Sequence, residues 1–258
     1  MSEKLYLQER LDQILAILQD QGRVSVSELS NRFDVSAVTI RNDLATLDQQ
    51  SRLVRTHGGA VLKNSNSADL PAFALRKELH SSEKERIGRT AATLVRDGDA
   101  IALDASTTAW QVARHLKDRR DLPVVTNGLF IALEFVDSPG VTVVMPGGAL
   151  RAASASLVGD EGACILDRYH VQKGFFSAGG FTLEEGLTDT SQYEVELKQR
   201  MVDRSKAVIA LVDSSKWGQV TFASLASVGQ LDQVISDSAA PPAMVAALRQ
   251  QGIEVVLV

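Results

Sequence analysis

Leu7, Leu11, Ile14, Leu15 and Leu18 recur at spacings of three and four, one apolar stripe that predicts a helix over about residues 5–20. Gln21 and Gly22 close it, glycine offering a left-handed cap. Ser25 and Glu28 stand at the spacing of a capping box, so a second helix is expected from Ser25, with Leu29 and Phe33 inward. Asp34 and Val35 form the turn, and Ser36 is the natural N-cap of a third helix over about 36–49 that buries Ile40, Leu44 and Leu47. Gly58 and Gly59 are expected to turn a hairpin with positive φ, among Arg52, Arg55, His57 and Lys63.

The pattern changes after residue 62. Residues 63–82 shift to small and polar types and are read as a linker, with Phe73 and Leu75 docking locally. From 83 onward helical stretches (83–96, 106–117, 127–137, 156–168, 190–204, 241–251) alternate with short apolar runs. Those runs are Ala100–Leu103, Pro123–Thr126, Val141–Met145, Gly174–Ser177, Val208–Val212, Gln233–Ile235 and Glu254–Leu257. Runs rather than alternation mean strands buried on both faces, hence a mostly parallel, doubly wound α/β sheet covered by helices. The expected organisation is therefore a winged helix-turn-helix at 1–62, a linker at 63–82 and an α/β domain at 83–258.

Composition narrows the chemistry. The 258 residues are 45% hydrophobic, enough for two cores, and no apolar run approaches a membrane span, so no membrane partner is expected. No charged-then-apolar leader stands at the start, which points to the cytoplasm. One cysteine, Cys164, excludes an internal disulfide and is expected as a small buried hydrophobe. The four histidines, 57, 80, 115 and 170, lack metal-ligand spacing, so neither metal nor cofactor is expected.

Two short helices, a fixed turn and a basic hairpin are the parts of a reader of double-stranded DNA. The N-terminal residues of its second motif helix reach base edges. The candidate contacts are Ser36, Ala37, Val38, Thr39, Arg41 and Asn42 on that helix, and Arg55, Thr56 and His57 on the wing. Arg41 suits guanine and Asn42 adenine, whereas Ser36 and Thr39 suit phosphate or a methyl group. The net charge is −5, and residues 1–63 carry acids and bases in equal number. Non-specific attraction is then modest, and operator binding depends on a dimer or higher oligomer.

Ligands of open α/β sheets lie outside the carboxyl ends of the strands. There the sequence places Asp104 with Ser106, Thr107 and Thr108, then Asn127, Gly147 and Gly148 with Arg151, and Lys216 after Asp213. A helix N-terminus of hydroxyl residues suits an anion, and the inventory suits a phosphorylated sugar. Its phosphate falls at Ser106–Thr108 with Lys216, its hydroxyls at Asp104, Asn127 and Asp189. Lys198 joins this set from a helix that also carries Glu194 and Glu196, in a register the sequence leaves open.

Several blocks together resemble the DeoR family of bacterial transcriptional regulators. They are Val35-Ser-Ala-Val-Thr-Ile-Arg-Asn-Asp-Leu44, Arg55-Thr-His-Gly-Gly-Ala-Val61, Leu103-Asp-Ala-Ser-Thr-Thr108, Val125-Thr-Asn127, Pro146-Gly-Gly-Ala-Leu-Arg151, Ser156-Leu-Val-Gly159 and Asp213-Ser-Ser-Lys216. The resemblance implies a sensor domain similar to ribose-phosphate isomerase and acyl-CoA transferase folds. It implies a sugar-phosphate effector, a homo-oligomer (dimer or tetramer) and a repressor of a carbohydrate operon rather than an enzyme. Such regulators usually have a second arginine where this chain has Asn42, which bears on the operator sequence. The isomerase's acidic catalytic loop would fall near Ser177–Gly180, where no carboxylate stands. The alternative expectation is an isomerase-like enzyme with a DNA-binding appendage.

Overall fold

The structure is a computed structural model that describes residues 7–21, 23–49, 53–56, 58–62 and 73–258. Contacts divide the chain into two units, residues 1–79 and 80–258.

The first unit begins with α1 (Leu7–Gln21), β1 (Arg23–Ser25), α2 (Val26–Phe33) and α3 (Ala37–Gln49), and continues with β2 (Leu53–Thr56), β3 (Gly59–Leu62) and α4 (Phe73–Glu78). The expected capping box is present: Ser25 Oγ accepts from the Glu28 amide at 3.1 Å, and Glu28 accepts from the Ser25 amide at 3.2 Å. Asp34 adopts the left-handed conformation (φ 52°) and stops α2. Ile14, Leu18, Leu29, Ile40, Leu44, Leu47 and Leu53 form one buried core. The strands make a sheet in the order β1-β3-β2, so the wing includes a short strand ahead of α2 that the sequence pattern did not suggest. That strand corrects the reading of the glycine pair. Neither Gly58 nor Gly59 has positive φ. A β-carbon on Gly59 would stand 1.8 Å from the Val24 carbonyl oxygen, so glycine is needed for close approach of β1, not for the turn. Arg52, His57 and Lys63 lie outside the described residues. Residues 73–78 of the segment read as a linker are helical, and Phe73 is buried.

The second unit runs α5 (Ser81–Thr93), β4 (Ile101–Leu103), α6 (Thr107–Arg114), β5 (Leu122–Thr126), α7 (Leu129–Glu134), β6 (Val141–Val144), β7 (Ala149–Arg151) and β8 (Ser156–Val158). It continues with α8 (Asp160–Leu166), β9 (Val171–Phe176), β10 (Gly180–Thr182), β11 (Gly186–Asp189), α9 (Gln192–Asp203), β12 (Ser205–Leu211), β13 (Ala223–Ala226), β14 (Gln233–Ser236), α10 (Pro242–Gln250) and β15 (Glu254–Leu257). Seven strands form one sheet in the order β15-β14-β12-β9-β4-β5-β6, every pair parallel. All three β4 residues are buried although successive side chains point to opposite faces, so the sheet is covered on both sides. The order in which strands are added reverses between β4 and β9, the switch point where such folds bind ligands.

Two further pieces complete the unit: an antiparallel sheet β10-β11-β13 and a hairpin β7-β8. The hairpin corrects the helix expected over 156–168, since Ser156–Val158 is a strand and only Asp160–Leu166 is helical. The Leu157 amide donates to the Asn127 carbonyl at 2.8 Å, and Gly159 at φ 124° separates strand from helix. Cys164 is exposed on α8, not buried as expected. The α8 residues that turn inward are Ala163 and Leu166.

Candidate nucleic-acid interface and candidate effector site

On α3 the buried stripe Ile40, Asp43, Leu44 and Leu47 leaves Val38, Arg41 and Asn42 exposed on one face, at i, i+3 and i+4. The cap of α3 uses Ser36 Oγ, which accepts from the Thr39 amide at 3.1 Å and lies 2.9 Å from Thr39 Oγ1. Ala37 packs against the N-terminal core. Arg55 is exposed on β2; neither it nor Arg41 meets a carboxylate among the described residues. Thr56 pairs with Gly59 in the hairpin, and His57 lies outside the described residues.

Sequence reasoning missed the group that sets the rotation of this helix. Asp43 sits within the apolar stripe, 2% exposed, where Arg10 of α1 grips it with both arms of its fork. Nε is 2.6 Å from Oδ2 and Nη2 is 3.0 Å from Oδ1. The hydrogen bond to Asp43 raises the Arg10 pKa against the desolvation that opposes it. The available signal was an acid falling on a buried helical stripe, which demands a partner.

In the second unit the strand ends converge as the pattern suggested, and the roles divide. Asp104 is fully buried at the switch point. Its Oδ2 accepts from the Ser177 amide at 3.1 Å and lies 2.9 Å from Lys198 Nζ, while Oδ1 accepts from the Ser106 amide at 3.3 Å. Lys198 Nζ is also 2.7 Å from Asp189 Oδ2 and donates to the Ser177 carbonyl at 3.4 Å. Burial works against the Lys198 charge, but Asp104, Asp189 and Glu194 overrule it and raise its pKa, so it stays an ammonium. Glu194 lies one turn before Lys198 on the same inward face of α9, and Glu196 points out. Glu194 Oε1 accepts from Ser156 Oγ at 2.9 Å and pairs with Arg151 Nη1 at 3.2 Å.

Asn127 is fully buried and engaged at both ends: Oδ1 accepts from the Ala105 amide at 3.1 Å and Nδ2 donates to the Leu157 carbonyl at 3.4 Å. It pins the β7-β8 hairpin to the loop after β4. Gly148 (φ 124°) leads into that hairpin, and a β-carbon there would stand 2.3 Å from the Val158 carbonyl oxygen. Gly147 lines open space.

The groups without partners are elsewhere on the same edge. Ser106 caps α6, its Oγ accepting from the Ala109 amide at 3.0 Å, which leaves the first amides of the helix, at buried Thr107 and Thr108, pointing out of its end. Two strands along, Asp213 follows β12. Its Oδ1 accepts from the Ser215 amide at 3.1 Å, but its buried Oδ2 has no hydrogen-bond partner among the described residues. Lys216 closes the short 3-10 turn Ser214–Lys216, half-buried; its ammonium makes no hydrogen bond or ion pair among the described residues. Two strand spacings put these groups about 10 Å from the α6 N-terminus. Among the described residues no group of His, Cys, Asp and Glu could hold a metal ion, and no helix is long and apolar enough to cross a membrane.

A helix-turn-helix unit followed by an α/β unit that gathers polar groups at its strand ends is the plan of a regulator that senses a small molecule. Known proteins agree: the DeoR-like helix-turn-helix domain matches residues 10–66, and the DeoR C-terminal sensor domain matches residues 79–238. The chain belongs to the DeoR family and is a DNA-binding transcriptional regulator. It is similar to the HTH-type transcriptional regulator GolR of Listeria innocua serovar 6a, with 38% identity over 96% of this chain and 97% of the other. It is similar also to the glycerol-3-phosphate regulon repressor of Escherichia coli (strain K12), with 30% identity over 96% of this chain and 98% of the other. A solved ribose 5-phosphate isomerase A from Methanocaldococcus jannaschii aligns over 54% of this chain and 55% of its own, at 19% identity and a TM-score of 0.40.

Proposed function

We propose that the chain is a cytoplasmic repressor of a carbohydrate operon whose grip on operator DNA is weakened by a phosphorylated sugar or polyol. The observation that carries this reading is the pair of unspent groups after β12, the unpartnered Asp213 Oδ2 and the free Lys216 ammonium. They share a sheet edge with the open N-terminus of α6. A buried carboxylate oxygen without a donor is costly unless something supplies one. A sugar hydroxyl does so, while a phosphate takes the α6 amides and the Lys216 charge. A relative named as a glycerol-3-phosphate regulon repressor supports both the sign of control and the phosphorylated polyol.

The division of roles differs from the sequence expectation. Asp104, Asn127 and Lys198 hold the crevice in shape, and Asp189 holds Lys198 through Oδ2. Thr107, Thr108, Asp213 and Lys216 are left to meet the ligand, with Arg151 reaching from the hairpin. Lys198, held protonated, is not a general base, and no carboxylate stands in Ser177–Gly180, where the isomerase's catalytic loop would fall. Operator recognition by paired half-sites further implies a dimer or tetramer.

The test is thermal unfolding of the full chain across a panel of sugar and polyol phosphates. A binder at 100 times its Kd adds about 2.7 kcal/mol. Lys216→Ala leaves the ligand-free melting point within the spread of ordinary surface changes, about 0.5 kcal/mol, and abolishes the ligand shift. A panel with no shift, or a shift that Lys216→Ala retains, would sink the assignment of this site. Conversion of a sugar phosphate by the purified chain would favour the enzyme reading.

A further inference from the structure

We propose that Val38 reads the 5-methyl group of a thymine in the operator's major groove, and thereby sets sequence preference at one position of each half-site. Val38 is 63% exposed in the first turn of α3. It shares one face with Arg41 and Asn42, at i, i+3 and i+4, so the three side chains leave the helix together. The fold has no use for it there. The core of this unit is built from the opposite stripe, and a β-branched residue is a poorer helix former than alanine.

The neighbouring hydroxyls are committed to the cap, Ser36 Oγ to the Thr39 amide and to Thr39 Oγ1. Val38 is thus the first side chain of the reading stripe, and it has neither donor nor acceptor. Among the base edges of the major groove one feature is apolar, the thymine methyl. Arg41 and Asn42, with donors and an acceptor, suit the adjacent base pairs.

The experiment starts by selecting a duplex from a random library with the full-length protein. Each thymine of the selected half-site is then replaced singly by uracil, which removes one methyl group and leaves the hydrogen-bond pattern intact. Wild-type protein is expected to lose about fourfold in Kd at one position, the worth of one buried methyl group, and little at the others. Val38→Ala, on an exposed position and with its melting curve checked against wild type, is expected to show a smaller uracil penalty at that position, because it keeps only one of the apolar groups that reach the methyl. Indifference of the wild type to every uracil, or the same penalty in Val38→Ala, would overturn the proposal. A library from which no sequence is enriched would overturn it together with sequence-specific operator binding; an enriched site indifferent to uracil counts against Val38 alone.

Discussion

Lys198→Met is expected to melt the second unit roughly 6–20 °C below wild type, from a loss of about 3–5 kcal/mol. Methionine keeps most of the side-chain volume and removes the charge. What remains is Asp104, fully buried, and Asp189, nearly so, facing each other across the space the ammonium filled. Breaking a buried pair costs more than the pair is worth, because the abandoned charge stays desolvated. Here two carboxylates are abandoned at the switch point of the sheet. The intact cluster also has a definite pH signature. Lys198 has a folded pKa above its ordinary value of 10.5, so its contribution is complete below that pH and decays as pH rises through the folded value. Wild type should therefore keep the Lys198 contribution across the neutral range and lose it on the alkaline side. Differential scanning calorimetry of both proteins checks the first expectation, and a variant melting within about 1 °C of wild type would mean that the cluster contributes nothing.

Arg10→Met should destabilise the first unit and weaken operator binding while the second unit melts as before. The loss is again about 3–5 kcal/mol, since Asp43 is left buried without its fork. The first unit is small, and domains of that size hold only about 0.05–0.15 kcal/mol per residue. Over 79 residues that is about 4–12 kcal/mol, so the substitution removes from about a quarter to all of the unit's stability. Hydrogen exchange on the full chain separates the two units, with protection lost in α1 and α3 and kept in β4 and β9. Arg10→Met combined with Asp43→Leu tests the cause, because exchanging both charges for apolar groups is often neutral. Recovery of protection in the double variant assigns the defect to the orphaned carboxylate. Continued loss would assign it to shape.

Both effects rest on residues the sequence half revealed. Apolar periodicity located all seven strands of the parallel sheet, because a strand buried on both faces writes an uninterrupted run such as Val208–Val212. It failed where strands are three or four residues long and held by their neighbours. Ser156–Val158 reads as a helix start until the Leu157 amide is seen to bond Asn127, and β10, β11 and β13 carry no alternation to notice. The glycines at 58 and 59 suggested a tight turn, whereas Gly59 answers to a strand more than thirty residues away in the chain.

The candidate sites divide in the same way. Residue type and position at strand ends marked Asp104, Asn127 and Lys216, and all three stand at the carboxyl ends of strands of the parallel sheet. Which of them face a ligand depends on hydrogen bonds from other elements. Asp104 is consumed by Ser177 and Lys198, and Asn127 by Ala105 and Leu157. The Lys216 side chain meets no partner among the described residues. The Arg10–Asp43 and Arg151–Glu194 pairs join distant segments, and no local pattern encodes them.

Coupling between the crevice and the reading helix is best measured as operator affinity of the full chain, by fluorescence anisotropy at fixed salt, with and without a sugar phosphate already shown to bind. Saturating ligand should weaken the operator Kd about 5–150-fold, the usual range of a coupling energy, and Lys216→Ala should hold the operator equally well under both conditions. An operator Kd unchanged by a ligand that demonstrably occupies the crevice would contradict the account.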